Sequence, residues 1–255
     1  MGKHQRRKWE EMQSDCLVLI FSKLGLDDLT LGIPIVCKSW REASLDPQCW
    51  RYLDFRELDF GAGGRLAGRF KREYAVESFS FSGFMKLCLS RSRRSAVELA
   101  IPFIPGASLR QDLLSASVEW KLMEILEMTW KPSCFVEILE EIGGNCPSFL
   151  GLHLCGAFES SEATALARCL PGLRILVMSA SFLPREALMA ILEGCRELEV
   201  LDVSRCRGFR AEDREVLRKA SGIGWFECRG SEVEDDRLNV HYAHDDATRR
   251  WLISD

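Results

Sequence analysis

The stretch CRELEVLDVSRCRGF, from Cys195 to Phe209, contains the pattern that decides the fold. Leu198, Leu201 and Val203 place apolar side chains at intervals of three and then two residues. The last interval is the period of a strand, in which alternate side chains face the same side. A strand this short cannot bury a core alone, so it needs neighbours that carry the same pattern.

The same pattern recurs over much of the chain, with central residues 24 to 27 positions apart. Those central residues are Leu99, Leu126, Leu152, Leu176, Leu201 and Phe226. Between the copies, stretches such as PREALMAILEGC have the three- and four-residue apolar spacing of an amphipathic helix. Units repeated every 20 to 29 residues or so are typical of leucine-rich repeats. The sequence therefore predicts an α/β fold in which about six strand-helix repeats stack into a short solenoid.

These repeats resemble the cysteine-containing type of leucine-rich repeat. Cys195 and Cys206 fit that pattern, and Cys146 and Cys169 stand before the strand in two other copies. The resemblance implies that these cysteines are small buried residues of the ladder and not a redox set. Eleven cysteines without a CxxC pair are also typical of reduced thiols inside the cell.

Residues 9–53 predict a small helical module at the amino terminus. Leu17, Ile20 and Phe21 make an apolar face on a first helix, and Pro34 is suited to open a third. Three short helices in so few residues bury little of their apolar surface alone. Their apolar faces must therefore pack on the rest of the chain or bind a partner.

This module resembles the F-box in the order and spacing of its residues, above all in VCKSWREASLDPQCW. The matching positions are Leu17, Ile20, Phe21, Ser22, Leu24, Asp28, Leu29, Val36, Cys37, Lys38, Trp40, Arg41, Asp46 and Trp50. One departure is Met12-Gln13, where the family usually has Leu-Pro. Trp40 and Trp50 are expected to hold the three helices together.

The resemblance implies that the module binds a Skp-type adaptor, which links an F-box to a cullin ubiquitin ligase. Combined with the repeats, it resembles plant F-box/leucine-rich-repeat proteins and implies a non-catalytic substrate-recognition subunit of an SCF (Skp–cullin–F-box) ligase. Its protein substrate would be directed to ubiquitination and proteasomal degradation. The residues expected to bind the adaptor are Leu17, Ile20, Phe21, Leu24, Leu29, Ile33, Pro34, Val36 and Trp40.

The expected division of the chain has five parts. These are a basic tail (1–8), the F-box (9–53), a flexible linker followed by a connecting helix (54–95), the leucine-rich repeats (96–230) and a carboxy-terminal tail (231–255).

Residues that alternate with the ladder are expected to face outward on the concave side of the sheet. Apolar side chains rimmed by acids on such a face suit a protein substrate. The residues expected to bind it are Glu127, His153, Ile175, Val177, Val200, Asp202, Trp225 and Glu227. Alternatively, the carboxy-terminal tail, which carries Trp251 and Leu252, covers Trp225.

Composition and missing motifs exclude several other function classes. A net charge of -4 gives no basic field for nucleic acid, and no apolar run approaches the length of a membrane span. No HExxH motif, glycine-rich phosphate loop or CxxC pair is present, so neither a metal nor a cofactor is expected. Without a signal-peptide pattern, the chain is expected in the nucleus, the cytoplasm or both.

Three alternatives to the ligase subunit remain open. The first is a repeat scaffold that binds proteins, with the helical module as a cap and no ligase role. The second is a thiol enzyme, for which a pair would need His153 or a histidine of the tail, and His153 beside Cys155 on one strand is the candidate pair. The third is a small-ligand receptor, for which six short repeats offer little enclosure.

Overall fold

The computed structural model describes residue 9 and residues 12–61, 63–103 and 109–233. The basic tail expected over 1–8 and most of the tail expected over 231–255 lie outside the described residues. The tail residues that are suggested to cover Trp225 are also outside the described residues. Within the described ranges, no helix combines the length and apolar character needed to cross a membrane.

In the described part of the chain, seven parallel strands form one sheet, each pairing with its neighbours in sequence order. They are β1 (Tyr52–Asp54), β2 (Glu98–Ile101), β3 (Ile125–Met128), β4 (Gly151–Leu154), β5 (Ile175–Val177), β6 (Val200–Asp202) and β7 (Trp225–Glu227). The residues that pair along the ladder include all six predicted central positions, from Leu99 to Phe226. The predicted repeat register is therefore confirmed. Its physical reason is burial, since the first five of these side chains are fully shielded from solvent.

The strand β1 was not expected. It comes from the end of the region predicted as the F-box, and its Leu53 pairs with Leu99 of β2 in parallel register. Leu53 is buried like the other ladder residues. The amino-terminal module therefore supplies the first strand of the repeat sheet.

Helices connect successive strands of the repeats, as the sequence predicts. The described helices are α1 (Ser14–Phe21), α2 (Lys38–Ser44), α3 (Arg65–Tyr74), α4 (Phe81–Ser92), α5 (Leu109–Ala116), α6 (Phe135–Asn145), α7 (Ser160–Cys169), α8 (Arg185–Gly194) and α9 (Arg214–Ala220). In α8, Ala187, Leu188 and Ile191 are fully buried, which is the one-sided pattern of an amphipathic helix. The helix α9 begins where the Asp213 carboxylate accepts hydrogen bonds from two backbone amides of its first turn.

The cysteine ladder is only partly as predicted. Cys146 and Cys195 are buried directly after α6 and α8, where a small side chain fits against the core. After α7 the equivalent place belongs to Leu170, whereas Cys169 is the last helical residue and is partly exposed. The placement of Cys169 in the ladder is therefore wrong by one residue.

The amino-terminal module is more irregular than three plain helices. A π-helical turn (Asp28–Gly32) and a 3₁₀ turn (Ile33–Ile35) stand between α1 and α2, and a second 3₁₀ turn (Pro47–Trp50) follows α2. Pro34 therefore opens a 3₁₀ turn, and α2 begins only after an extended Cys37. Trp50 is completely buried, and its indole Nε1 donates to the Ser44 carbonyl at 2.8 Å.

Residues 54–95 contain two helices, whereas the sequence predicts a single connecting helix after the linker. The helices α3 and α4 both lie within this range. A cluster of aromatic rings, with centroids 5.0–6.4 Å apart, packs them against the end of β1. Its members are Phe55, Phe60, Phe70, Phe79, Phe81 and Phe84. So many large apolar side chains stabilise the segment by burial, which a glycine-rich start does not reveal.

Candidate functional site

The amino-terminal module exposes a group of apolar side chains. Leu19, Ile20, Ile35 and Val36 are between 41% and 68% exposed. The first two lie on the outer side of α1, and the other two lie where the first 3₁₀ turn leads into α2. Large apolar side chains concentrated in one short module mark an interaction surface. These four residues are called the apolar face below.

Four of the side chains expected to bind an adaptor are buried instead. Leu17, Phe21, Leu29 and Ile33 are each at most 9% exposed. The Phe21 ring packs edge-to-face on Trp40, with 5.3 Å between the centroids. The expectation that these four residues form an open face is wrong, because all four belong to the hydrophobic core. Leu17 and Phe21 enter it from α1, and Leu29 and Ile33 enter it from the turns that follow.

The remaining members of that expected set are at least partly accessible. Ile20 and Val36 are exposed, while Leu24, Pro34 and Trp40 are half-buried. Leu19 and Ile35 were not in the set at all. A signal for Leu19 was present, since it falls outside the helical stripe that the buried residues of α1 form.

The sheet face opposite the buried ladder brings together every residue expected to bind a substrate. Two rows of side chains, one residue before and one after each ladder position, line this concave face. The first row is Tyr52, Glu98, Ile125, Gly151, Ile175, Val200 and Trp225. The second row is Asp54, Ala100, Glu127, His153, Val177, Asp202 and Glu227.

An ion-pair network occupies the amino-terminal half of the concave face. The Arg56 guanidinium donates to Asp54 at 2.7 Å and also to Glu127. The other oxygen of Glu127 lies 3.1 Å from His153 Nδ1. Arg56 was missed because β1 was missed, since Arg56 follows that strand by two residues.

An acid followed two residues later by an arginine predicts an ion pair at the end of a strand in this sheet. At the far end of the sheet, Glu227 and Arg229 have the same spacing as Asp54 and Arg56 and also form a pair, at 2.6 Å. The side-chain hydrogen bond from Arg229 lowers the pKa of Glu227 to about 2. Burial by itself would raise the pKa of Asp54. The hydrogen bonds from Arg56 outweigh that effect, so the pKa is lowered.

Glu98 differs from these paired acids. Among the described residues, its carboxylate makes no hydrogen bond and no ion pair. Burial raises its pKa, the nearby Glu127 carboxylate raises it further, and the positive charge of Arg56 offsets part of this rise. Glu98 is therefore a carboxylate whose charge lacks a direct partner.

The carboxy-terminal half of the concave face is more apolar. Ile175, Val177 and Val200 are half-buried among one another, and Trp225 on the last described strand is 48% exposed. Gly151 lies in the same row between Ile125 and Ile175, whose side chains pack against it, and it is buried. An apolar strip beside unpaired acids has the character of a protein-binding surface.

The buried thiols of the repeats and the F-box lack the low pKa of a catalytic nucleophile. Burial raises the pKa of Cys49 and Cys146 to about 11 and that of Cys195 and Cys206 to about 12. A nucleophilic thiol needs the opposite shift. On the candidate strand, the Cys155 thiol donates to the Thr129 carbonyl at 2.7 Å, and burial also raises its pKa. No cluster of potential metal ligands is found among the described residues.

Comparison with known proteins matches both modules. Residues 14–56 match the family described as F-box-like. The F-box/LRR-repeat protein At3g48880 of Arabidopsis thaliana is 30% identical over 250 residues, which cover 84% of this chain and 78% of that protein. Putative F-box/LRR-repeat protein 9 of the same plant is 29% identical, over 81% of this chain and 91% of its own length. Putative F-box/LRR-repeat protein 22 is 28% identical, over 92% of this chain and 81% of its own length.

Proposed function

Because the chain belongs to the plant family of F-box/leucine-rich-repeat proteins, we propose that it is the substrate-recognition subunit of an SCF-type ubiquitin ligase. The F-box binds a Skp-type adaptor and through it a cullin. The repeats bind a protein substrate and direct it to ubiquitination and proteasomal degradation. The observation that carries this proposal is the apolar face, since it lies within the residues that match the F-box and no other described part of the chain packs over it.

The junction between the two modules suits a subunit that positions its substrate. The ladder runs without a break from Leu53 of the F-box into the repeats. The Arg91 guanidinium lies 5.0 Å from the Trp50 ring and donates to the Tyr74 hydroxyl at 2.8 Å. That hydroxyl donates in turn to the Thr30 carbonyl at 3.0 Å. The helix α4 of the connecting segment is thereby tied to two parts of the F-box.

Such a junction holds a substrate in a fixed direction relative to the adaptor. In the proposed complex, the chain supplies no chemistry and raises the effective concentration of a bound substrate near the ubiquitin carrier. A rigid connection raises that concentration more than a flexible one of the same span, since fewer orientations are sampled. The raised thiol pKa values agree with a non-catalytic role.

The proposal is tested by adaptor binding to variants of the apolar face. Leu19→Asp with Ile35→Asp places two charges where an apolar partner packs, and should weaken binding of a purified Skp-type adaptor at least about tenfold. Leu122→Asp is the matched control, because Leu122 is an equally large side chain, 50% exposed, on the repeats. It should bind like the wild type. Changing Leu17 or Phe21 is less informative, since their burial means that the F-box itself would lose stability.

A protein-binding scaffold without ligase function is the second candidate. The observation that favours it is at the start of α1, where Gln13 occupies the capping position and makes no side-chain hydrogen bond to the helix. If the wild-type chain binds no Skp-type adaptor, the ligase proposal fails and the scaffold takes its place. If the double variant binds as well as the wild type, the apolar face is not the adaptor surface.

A further inference from the structure

The concave face carries more negative than positive charge. Its carboxylates are Asp54, Glu98, Glu127, Asp202 and Glu227. Arg56 is engaged with two of them and Arg229 with a third. Within the described ranges, neither Glu98 nor Asp202 has a cationic partner, and the Asp202 carboxylate accepts only the nearby Ser204 amide, at 2.9 Å.

The unsatisfied polar groups of this face are hydrogen-bond acceptors. His153 Nε2 is buried and has no hydrogen-bond partner. Its Nδ1 lies 3.1 Å from a Glu127 oxygen, which has no proton to give when ionised, so Nδ1 is the donor of that pair. Because Nε2 is buried, a ligand does not reach it without a movement of the ring. The Glu98 and Asp202 carboxylates are partly accessible, and they require donors from whatever binds here.

The apolar strip continues from these acceptors towards β7. Ile125 and Ile175 flank the buried Gly151 in the same row. Val200 and the exposed Trp225 continue the same row. A side chain that carried only charge would leave this strip uncovered, and a purely apolar one would leave the acceptors unpaired.

We propose that the concave face binds a substrate segment in which lysine or arginine stands beside apolar side chains. One cation pairs with Glu98, a second reaches Asp202, and the apolar side chains cover the strip from Ile125 to Trp225. The proposal rests on the proposed function, because it names the substrate class of that same surface. Charge complementarity with the unpaired carboxylates carries it, and an acidic segment would meet like charge.

The test is a selection of displayed random peptides on the immobilised full-length chain. Enriched peptides should combine lysine or arginine with neighbouring apolar residues, and one of them is then synthesised for affinity measurements. Glu98→Gln with Asp202→Asn keeps the shape of both side chains and should weaken that peptide about tenfold, since each lost charge contact contributes about threefold. Glu186→Gln is the matched control, because Glu186 is an exposed acid in the first turn of α8, and it should leave the affinity unchanged.

Enrichment of acidic or uncharged peptides, or no enrichment, would overturn the proposal. So would equal binding of the wild type and the double variant. The chain's own Arg249, Arg250 and Trp251 have the proposed composition. A full-length variant with serine at these three positions is therefore selected in parallel. Enrichment with this variant alone would make the tail the occupant and also overturn the proposal.

The two proposals fail separately. Loss of adaptor binding with peptide binding retained would refute only the ligase role. Adaptor binding without any selected peptide would refute only the assignment of the substrate class.

Discussion

The shared strand β1 predicts that the F-box and the first repeats lose stability together. Leu53 is 1% exposed and pairs with Leu99, so Leu53→Ala opens a cavity in the ladder where the two modules meet. Leucine to alanine in a core costs about 2–5 kcal/mol. At about 3 kcal/mol, a chain of this size should melt about 6–12 °C lower.

Amide hydrogen exchange measured by mass spectrometry locates the effect. In the Leu53→Ala variant, peptides covering α2 (Lys38–Ser44) and β2 (Glu98–Ile101) should both lose protection. Leu26→Ala is the matched control, because Leu26 is equally buried in the F-box but lies off the sheet. It should loosen α2 more than β2. If β2 keeps its wild-type protection in the Leu53 variant, the modules are energetically independent and the rigid-junction argument fails.

Three further changes test the packing of the fold. Gly208 has φ 115°, and a Cβ added there would lie 2.5 Å from a backbone carbonyl oxygen of the preceding repeat. Gly208→Ala should therefore lower the free energy of unfolding, measured in urea, by about 2 kcal/mol or more. Gly172→Ala, with open space around it, should cost less than about 1 kcal/mol. Trp50→Phe removes the buried indole N–H that donates to the Ser44 carbonyl at 2.8 Å. The free energy of unfolding should fall by about 1–3 kcal/mol, and an unchanged urea midpoint would contradict a stabilising hydrogen bond. Hydrogen bonds from Arg185 and the α9 amides lower the pKa of Asp213 to about 2 from 3.8. The stability that this carboxylate contributes is therefore present above pH 4 or so and is lost as pH falls towards 2. Urea midpoints of wild type and Asp213→Asn should converge over that range, and a constant gap would refute the assignment.

The repeat register was predictable from sequence because each ladder position is under the same physical demand. A residue such as Leu152 or Leu176 fills an identical place between strand and helix, so its type and spacing recur. The rows on either side of the ladder follow from the alternation of the strand. Six strands and the rows on them could therefore be predicted, whereas β1 could not. Its three residues, Tyr52–Asp54, contain one ladder leucine and follow a region that the F-box pattern already explains.

The exposed face of the F-box was not predictable in the same way. Leu17 and Leu19 are both leucines on one short helix, yet one is buried and the other is more than half exposed. Periodicity defines an apolar stripe but does not say which apolar residues pack within the chain and which remain for a partner. The dense apolar content of α1 reflects both uses. The two groups of apolar residues on α1 are distinguished only by the structure, in which Trp40 of α2 packs against one side of the helix.

The two proposed surfaces both bury apolar side chains but differ in charge, and this difference has a consequence for assembly. The apolar face gains free energy from burial, which salt does not screen. The unpaired acids at Glu98 and Asp202 attract a cationic segment through charge, which acts over about 8 Å at physiological ionic strength and weakens as salt rises. Because only the concave face is proposed to pair the cations of the substrate as well as to cover its apolar side chains, the substrate should prefer that face to the apolar face. An apolar adaptor surface would leave the acceptors of the concave face unpaired, which disfavours its binding there.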